Sequence, residues 1–245
     1  MDIKTLENLI KRGEAIGSFL MGFCYENGYG VDGDQEKAIQ LYKQAADEGL
    51  HIACYAYANL VLDKDDADNK VEGVSYCRLA AEQGLAEAQD TLGLIYENGI
   101  GIDRDMKIAI DWYTKAANNS YSNSAYHLGY LLENGIGGEE DIEKAISWYQ
   151  KAAELGDANA AYILAELYRK GIKTHKDEKL SFYWYEQASK LGSSLANSFL
   201  AVVFKDGLLS KEPDPVKVKQ YIKKMEACRM KEMNRSESHR NKIID

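Results

Sequence analysis

Residues 85–120, LAEAQDTLGLIYENGIGIDRDMKIAIDWYTKAANNS, are followed by two segments of the same design, YSNSAYHLGYLLENGIGGEEDIEKAISWYQKAAELG (121–156) and DANAAYILAELYRKGIKTHKDEKLSFYWYEQASKLG (157–192). Each runs from a stretch of small residues and tyrosines, through a glycine-containing loop, to a Trp-Tyr pair followed by small residues. The segment-ending glycines set the period: Gly13, Gly49, Gly84, then Ser120 in place of glycine, Gly156 and Gly192, at steps of 36, 35, 36, 36 and 36. Other columns keep that register, among them Trp112, Trp148 and Trp184, and Leu92, Leu128, Leu164 and Leu200. Self-similarity at such a period denotes stacked repeats, because a unit this small cannot bury its apolar face without neighbours.

Working outward, residues 13–49 form a full copy and residues 50–84 a divergent one, whose loop DKDDADNK (63–70) lacks the glycines. Residues 1–12 match only the second half of a unit and are expected to cap the N-terminal end. Residues 193–228 read as a worn, capping sixth unit, and 229–245 as a frayed or disordered tail. The five expected hairpins are thus 13–49, 50–84, 85–120, 121–156 and 157–192.

Within a unit, Ala88, Leu92 and Tyr96 fall at i, i+4 and i+8, and Ile108, Trp112 and Ala116 continue a helical stripe beyond the loop. Both prolines, Pro213 and Pro215, lie in the loop that opens the last predicted helix, and no run alternates with period two for long enough to suggest a sheet. The fold class is therefore all-α, an α-solenoid of antiparallel helix pairs. Gly93, Gly129, Ala165 and Ala201 share a column of small residues that lets helices approach, while the Leu, Trp and Tyr columns are expected to fill the core. On that basis Trp148→Ala is expected to cost about 3–5 kcal/mol.

The pattern AxAxxxLGxxYxxGxG…KAxxWYxKAAxxG over residues 13–228 resembles the Sel-one-like repeat (SLR) family, relatives of the tetratricopeptide repeat found in bacteria and eukaryotes. Tyr76 and Cys77, and Gln220 and Tyr221, depart from the Trp-Tyr pair. The resemblance implies a right-handed superhelix that binds proteins or peptides on its concave face. It also implies mostly adaptor roles, in places an immunity role against a toxic effector enzyme, and in a few members an interaction with β-lactams.

The chain carries a formal charge of −9. Residues 205–245 hold eleven basic against seven acidic side chains, leaving −13 on residues 1–204. An acidic body argues against nucleic acid, which needs a basic stripe. No signal peptide and no apolar run of roughly 18–20 residues is visible, so the expected compartment is the cytoplasm. The oligomeric expectation is a monomer or weak dimer. Cys54 and Cys77 lie about equally far from the loop of one hairpin and are candidates for pairing; buried free thiols are the preferred reading for all four cysteines.

The recurring Gly-x-Gly follows a helix rather than a strand, so it reads as a left-handed turn, not a phosphate loop. Asp63, Asp65, Asp66 and Asp68 lack the glycine and glutamate of a calcium loop, with Asp68 and Val74 at those places. Histidines 51, 127, 175 and 239 have no zinc spacing, and neither Ser-x-x-Lys nor Gly-x-Ser-x-Gly occurs. No catalytic residue, metal or cofactor is therefore expected.

Partner-binding candidates come from two stripes of the first helices. One reads Phe19, Tyr55, Asp90, Tyr126, Tyr162 and Ser198; the other, one turn on, reads Phe23, Asn59, Leu94, Tyr130, Glu166 and Val202. Aromatic side chains with polar tips suit protein binding, although a regular tyrosine column equally suits packing between repeats. Phe23, Leu94, Tyr130 and Glu166 are the groove candidates, and Tyr55, Tyr126 and Tyr162 are expected to be partly structural. The expected function is a non-catalytic scaffold or adaptor. The alternative is an immunity or inhibitor protein for a toxic enzyme, and a β-lactam-interacting enzyme ranks below both.

Overall fold

The computed structural model describes residues 2–64 and 66–244, without the side chains of 232 and 235–244. Asp65 of the acidic loop therefore lies outside the described residues, as do most side chains of the tail expected over 229–245. Among the described residues all regular structure is α-helical. The chain divides into two compact units, Met1–Tyr121 and Ser122–Asp245.

Unit 1 opens with α1 (Ile3–Lys11), then stacks three hairpins: α2 (Ala15–Asn27) with α3 (Gln35–Asp47), α4 (His51–Leu62) with α5 (Ala67–Glu82), and α6 (Ala86–Asn98) with α7 (Met106–Asn118). Unit 2 stacks α8 (Ser122–Glu133) with α9 (Ile142–Glu154), α10 (Ala158–Lys170) with α11 (Glu178–Lys190), and α12 (Ser194–Asp206) with α13 (Pro215–Ile244). No described helix is long and apolar enough to cross a membrane.

Local chemistry sets the helix ends. Gly99 ends α6 in the left-handed region, at φ 70°, with its N–H on the Ile95 carbonyl, and Gly101 follows at φ 66°; the Gly-x-Gly is a turn. An aspartate then starts the second helix: Asp105 accepts from the N–H groups of Lys107 and Ile108. The N–H of Asp105 itself donates to Tyr96 O, and Asp34, Asp141 and Asp177 make the same bond to Tyr25, Leu132 and Tyr168. The cap thereby closes the hairpin as well as opening a helix.

The alanine and leucine columns are buried as expected, with Ala88, Leu92, Ala116, Leu164 and Ala188 fully inside. The tryptophan column departs from expectation. Trp184 is buried, but Trp112 and Trp148 are only half-buried, with Lys115 and Lys151 over their rings at 3.6 and 5.0 Å from the centroids. A lysine one turn on shares each of those rings with water; Gln187 stands at that place after Trp184. The neighbouring tyrosines fill the core instead: Tyr113, Tyr149 and Tyr185 are at most 1% exposed. All four cysteines are free; Cys54 and Cys77 are buried, and burial pushes the Cys77 thiol up to about 12.

Candidate functional site

In three hairpins the buried tyrosine of the second helix donates its hydroxyl to a glutamate near the end of the first. Tyr42 reaches Glu26 at 2.5 Å, Tyr113 reaches Glu97 at 2.6 Å and Tyr149 reaches Glu133 at 2.8 Å. Burial first, and the carboxylate second, raises each phenol well above its ordinary pKa, so these groups stay protonated donors. The ring lies flat on a glycine of the first helix: a Cβ at Gly22, Gly93 or Gly129 would come within 2.9, 2.6 or 2.7 Å of it.

Glycine, tyrosine and glutamate thus form a trio. The second hairpin has lost all three together, carrying Ala58, Cys77 and Leu62 in their places. Sequence columns alone had marked the tyrosine and the small residue. The glutamate went unread, although its joint loss with the tyrosine was visible within the chain.

The trio fixes which face of each first helix points away from the second. The earlier candidate stripe turns toward the protein: Phe19, Tyr126 and Tyr162 pack on Tyr42, Tyr149 and Tyr185 at 5.5, 5.7 and 5.9 Å between centroids. Tyr55 is half-buried and shares a 3.2 Å hydrogen bond with Thr91 of the next hairpin. These contacts lie within hairpins for three of the four, where packing between repeats was expected.

The later stripe turns outward. In unit 1 it comprises Phe23, Asn59 and Leu94, with Phe23 44% and Leu94 40% exposed. In unit 2 it comprises Tyr130, Glu166 and Val202, with Tyr130 44% and Val202 41% exposed. Asn27, Asn98 and Asn134, one further turn on, donate their side-chain amides to the carbonyls of Phe23, Leu94 and Tyr130.

Glu166 stands apart from its row. The fifth hairpin carries Arg169 where the others have the glutamate of the trio, and Glu166, one turn earlier, takes over that role. Its carboxylate accepts both Arg169 Nε at 2.9 Å and Arg169 Nη2 at 2.8 Å, lies 3.0 Å from Lys170 Nζ, and accepts the Tyr185 hydroxyl. Burial opposes ionisation, but the hydrogen bonds from Arg169, Tyr185 and Lys170 outweigh it and hold the carboxyl at about 2. A side chain so engaged is tied to the fold.

Beside it lies an open cavity of about 220 Å³, lined by Ile163, Leu167 and Ile172 among apolar groups and Lys170 and Lys173 among cations. Among the described residues no cluster of histidine, cysteine or carboxylate side chains is arranged to hold a metal.

Comparison with known proteins places these features in a family. The chain is 36% identical over 115 residues to the chitin synthase regulator SKT5 of Saccharomyces cerevisiae, covering 44% of this chain and 16% of that protein. It therefore spans less than a fifth of that curated relative. A protective antigen of uropathogenic Escherichia coli with an SLR fold superposes with a TM-score of 0.79 at 32% identity, over 91% of this chain and 48% of the antigen. A Sel1 repeat protein from Oxalobacter formigenes superposes with a TM-score of 0.72 at 25% identity, over 92% of this chain and 99% of that one. The Sel1 repeat profile matches five successive segments, 15–50, 51–85, 86–121, 122–157 and 158–193, and the chain belongs to the Sel1 repeat family.

Proposed function

We propose that this chain is a non-catalytic scaffold that holds a partner protein or peptide against the outward face of its first helices. The observation supporting this reading is an outward row in each unit, Phe23 and Leu94 in unit 1 and Tyr130 and Val202 in unit 2, large apolar or aromatic side chains each at least 40% exposed. Such side chains in water are the raw material of interface anchors. A curated relative is named as a regulator of another enzyme, which agrees with a role exercised through binding. The most shifted phenols, Tyr42, Tyr113, Tyr149 and Tyr185, are raised by burial and by carboxylates, which makes them poorer acids than free tyrosine rather than groups poised for proton transfer.

The test is affinity capture from the native organism with mass spectrometry, comparing the wild-type chain with Phe23, Leu94 and Tyr130 replaced by serine. The expected result is loss of the partner with little change in thermal stability, since all three side chains stand partly in water. Undiminished recovery of every partner would remove this face from consideration. An inhibitor of a basic enzyme is the second reading, favoured by the excess negative charge of unit 1, and stoichiometric inhibition of the captured partner would distinguish it.

A further inference from the structure

The outward face of unit 1 has a charge character of its own. Residues 1–121 hold twenty-one acidic and eleven basic side chains, a net of −10, whereas the rest of the chain nets +1. The first helices α2, α4 and α6 contain no lysine or arginine at all. Their outward rows are apolar at Ile16, Phe23, Ile52 and Leu94, which are 41, 44, 47 and 40% exposed, acidic at the exposed Asp63 and Glu87, and neutral polar at the exposed Asn59. Much of the cationic charge of unit 1 is occupied elsewhere: Lys37 pairs with Asp34 at 3.0 Å, Lys43 with Glu72 at 2.6 Å and Lys64 with Glu36 at 3.5 Å, while Arg78 donates to the Tyr96 hydroxyl.

Resting on the scaffold reading above, we infer that this face of unit 1 binds a basic amphipathic α-helix of a partner protein. Its apolar stripe lies on Ile16, Phe23, Ile52 and Leu94, and its lysines and arginines face Glu87 and Asp63.

Two physical arguments select that occupant. An acidic segment, a nucleic acid or an anionic membrane would meet carboxylates at both ends of this face, Glu87 in the first turn of α6 and Asp63 at the end of α4, and no lysine or arginine of α2, α4 or α6. An extended peptide would press its backbone N–H and C=O groups against apolar side chains. The face answers them with no strand edge and with a single amide in its outward row, Asn59, since Asn27 and Asn98 already donate to their own helices. A helix satisfies its own backbone and offers only side chains, which is what the face can accept.

The experiment titrates the full chain into two labelled synthetic helices of about five turns, roughly 18 residues each. One is built of leucine and lysine, the other of leucine and glutamate on the same apolar stripe. Anisotropy is read for wild type, Phe23→Ser with Leu94→Ser, Asp63→Lys with Glu87→Lys, and a control of equal net charge, Glu82→Lys with Asp111→Lys, whose side chains are exposed on the second helices. The expected result is binding of the leucine–lysine helix only. Its affinity falls at least about tenfold in both face variants and stays within about threefold in the control.

An equal loss in the control shows attraction to net charge alone and overturns the inference, as does binding of the glutamate helix or of neither. The native capture repeated with Asp63→Lys and Glu87→Lys separates the two levels. A partner lost on Phe23→Ser with Leu94→Ser but kept by the charge-reversed pair refutes the basic helix and leaves the scaffold standing. A partner kept by every variant refutes the scaffold itself.

Discussion

Gly129→Ala pits two opposed effects against each other. In a helix interior alanine is favoured over glycine by about 0.8–1.0 kcal/mol, so the substitution would stabilise an unobstructed helix. Here the new Cβ would sit 2.7 Å from Cδ1 and Cε1 of Tyr149, against an ordinary carbon contact of about 3.5–4.0 Å. The ring cannot retreat, being 1% exposed and held through its hydroxyl to Glu133 at 2.8 Å. Overpacking of this kind costs about 1–3 kcal/mol, and subtracting the propensity gain leaves a net loss between about zero and 2 kcal/mol, centred near 1.

The fifth hairpin supplies the compensation. Ala165 is accepted there beside Tyr185, whose hydroxyl goes to Glu166, with Arg169 in the place of the usual glutamate. The triple variant Gly129→Ala, Tyr130→Glu, Glu133→Arg should therefore regain most of what Gly129→Ala loses. Gly138→Ala, with no neighbour within 4 Å of the added Cβ, serves as the neutral control. Urea unfolding of the full chain, followed by circular dichroism, reads all four proteins. A single variant more stable than wild type, or a triple variant that recovers nothing of a measured loss, refutes the proposed coupling of ring, glycine and carboxylate.

Trp184→Ala should cost about 3–5 kcal/mol, whereas Trp148→Ala, which removes a half-buried ring, should cost less than half as much; equal losses by chemical denaturation would contradict the burial pattern. Glu166 titrates at about 2 in the folded chain against an ordinary 4.5, so its stabilisation is complete above about pH 4.5 and is lost as pH falls toward 2. At about 1.36 kcal/mol per unit the upper bound is near 3 kcal/mol, and the exposure of Lys170 and Arg169 lowers it to about 1–2 kcal/mol. Glu166→Gln should flatten that acid limb, and parallel stability–pH curves for the two proteins would rule the assignment out.

The repeat, its register and its hairpins were legible in the chain because stacking forces each unit to reuse the same small, bulky and turn-forming positions. The Gly-x-Gly loops read as turns for the same reason, since Gly99 and Gly101 supply a backbone conformation that side chains resist. The tryptophan column misled because a conserved register reports geometry, not depth: Trp112 and Trp148 keep their place around the helix while a lysine shares their rings with water. Glu166 misled in the opposite way. Its variation from Phe23, Leu94 and Tyr130 looked like a binding surface changing character, when it was a carboxylate moved one turn to meet Tyr185.

Period, the all-helical class and the family resemblance are properties of local order along the chain, and the sequence alone determined them. Which face of each first helix meets water was decided only when Tyr42, Tyr113 and Tyr149 crossed to Glu26, Glu97 and Glu133. That choice depends on pairs sixteen residues apart closing through a loop, and rotation about a helix axis is set by such long-range contacts rather than by the pattern they rotate.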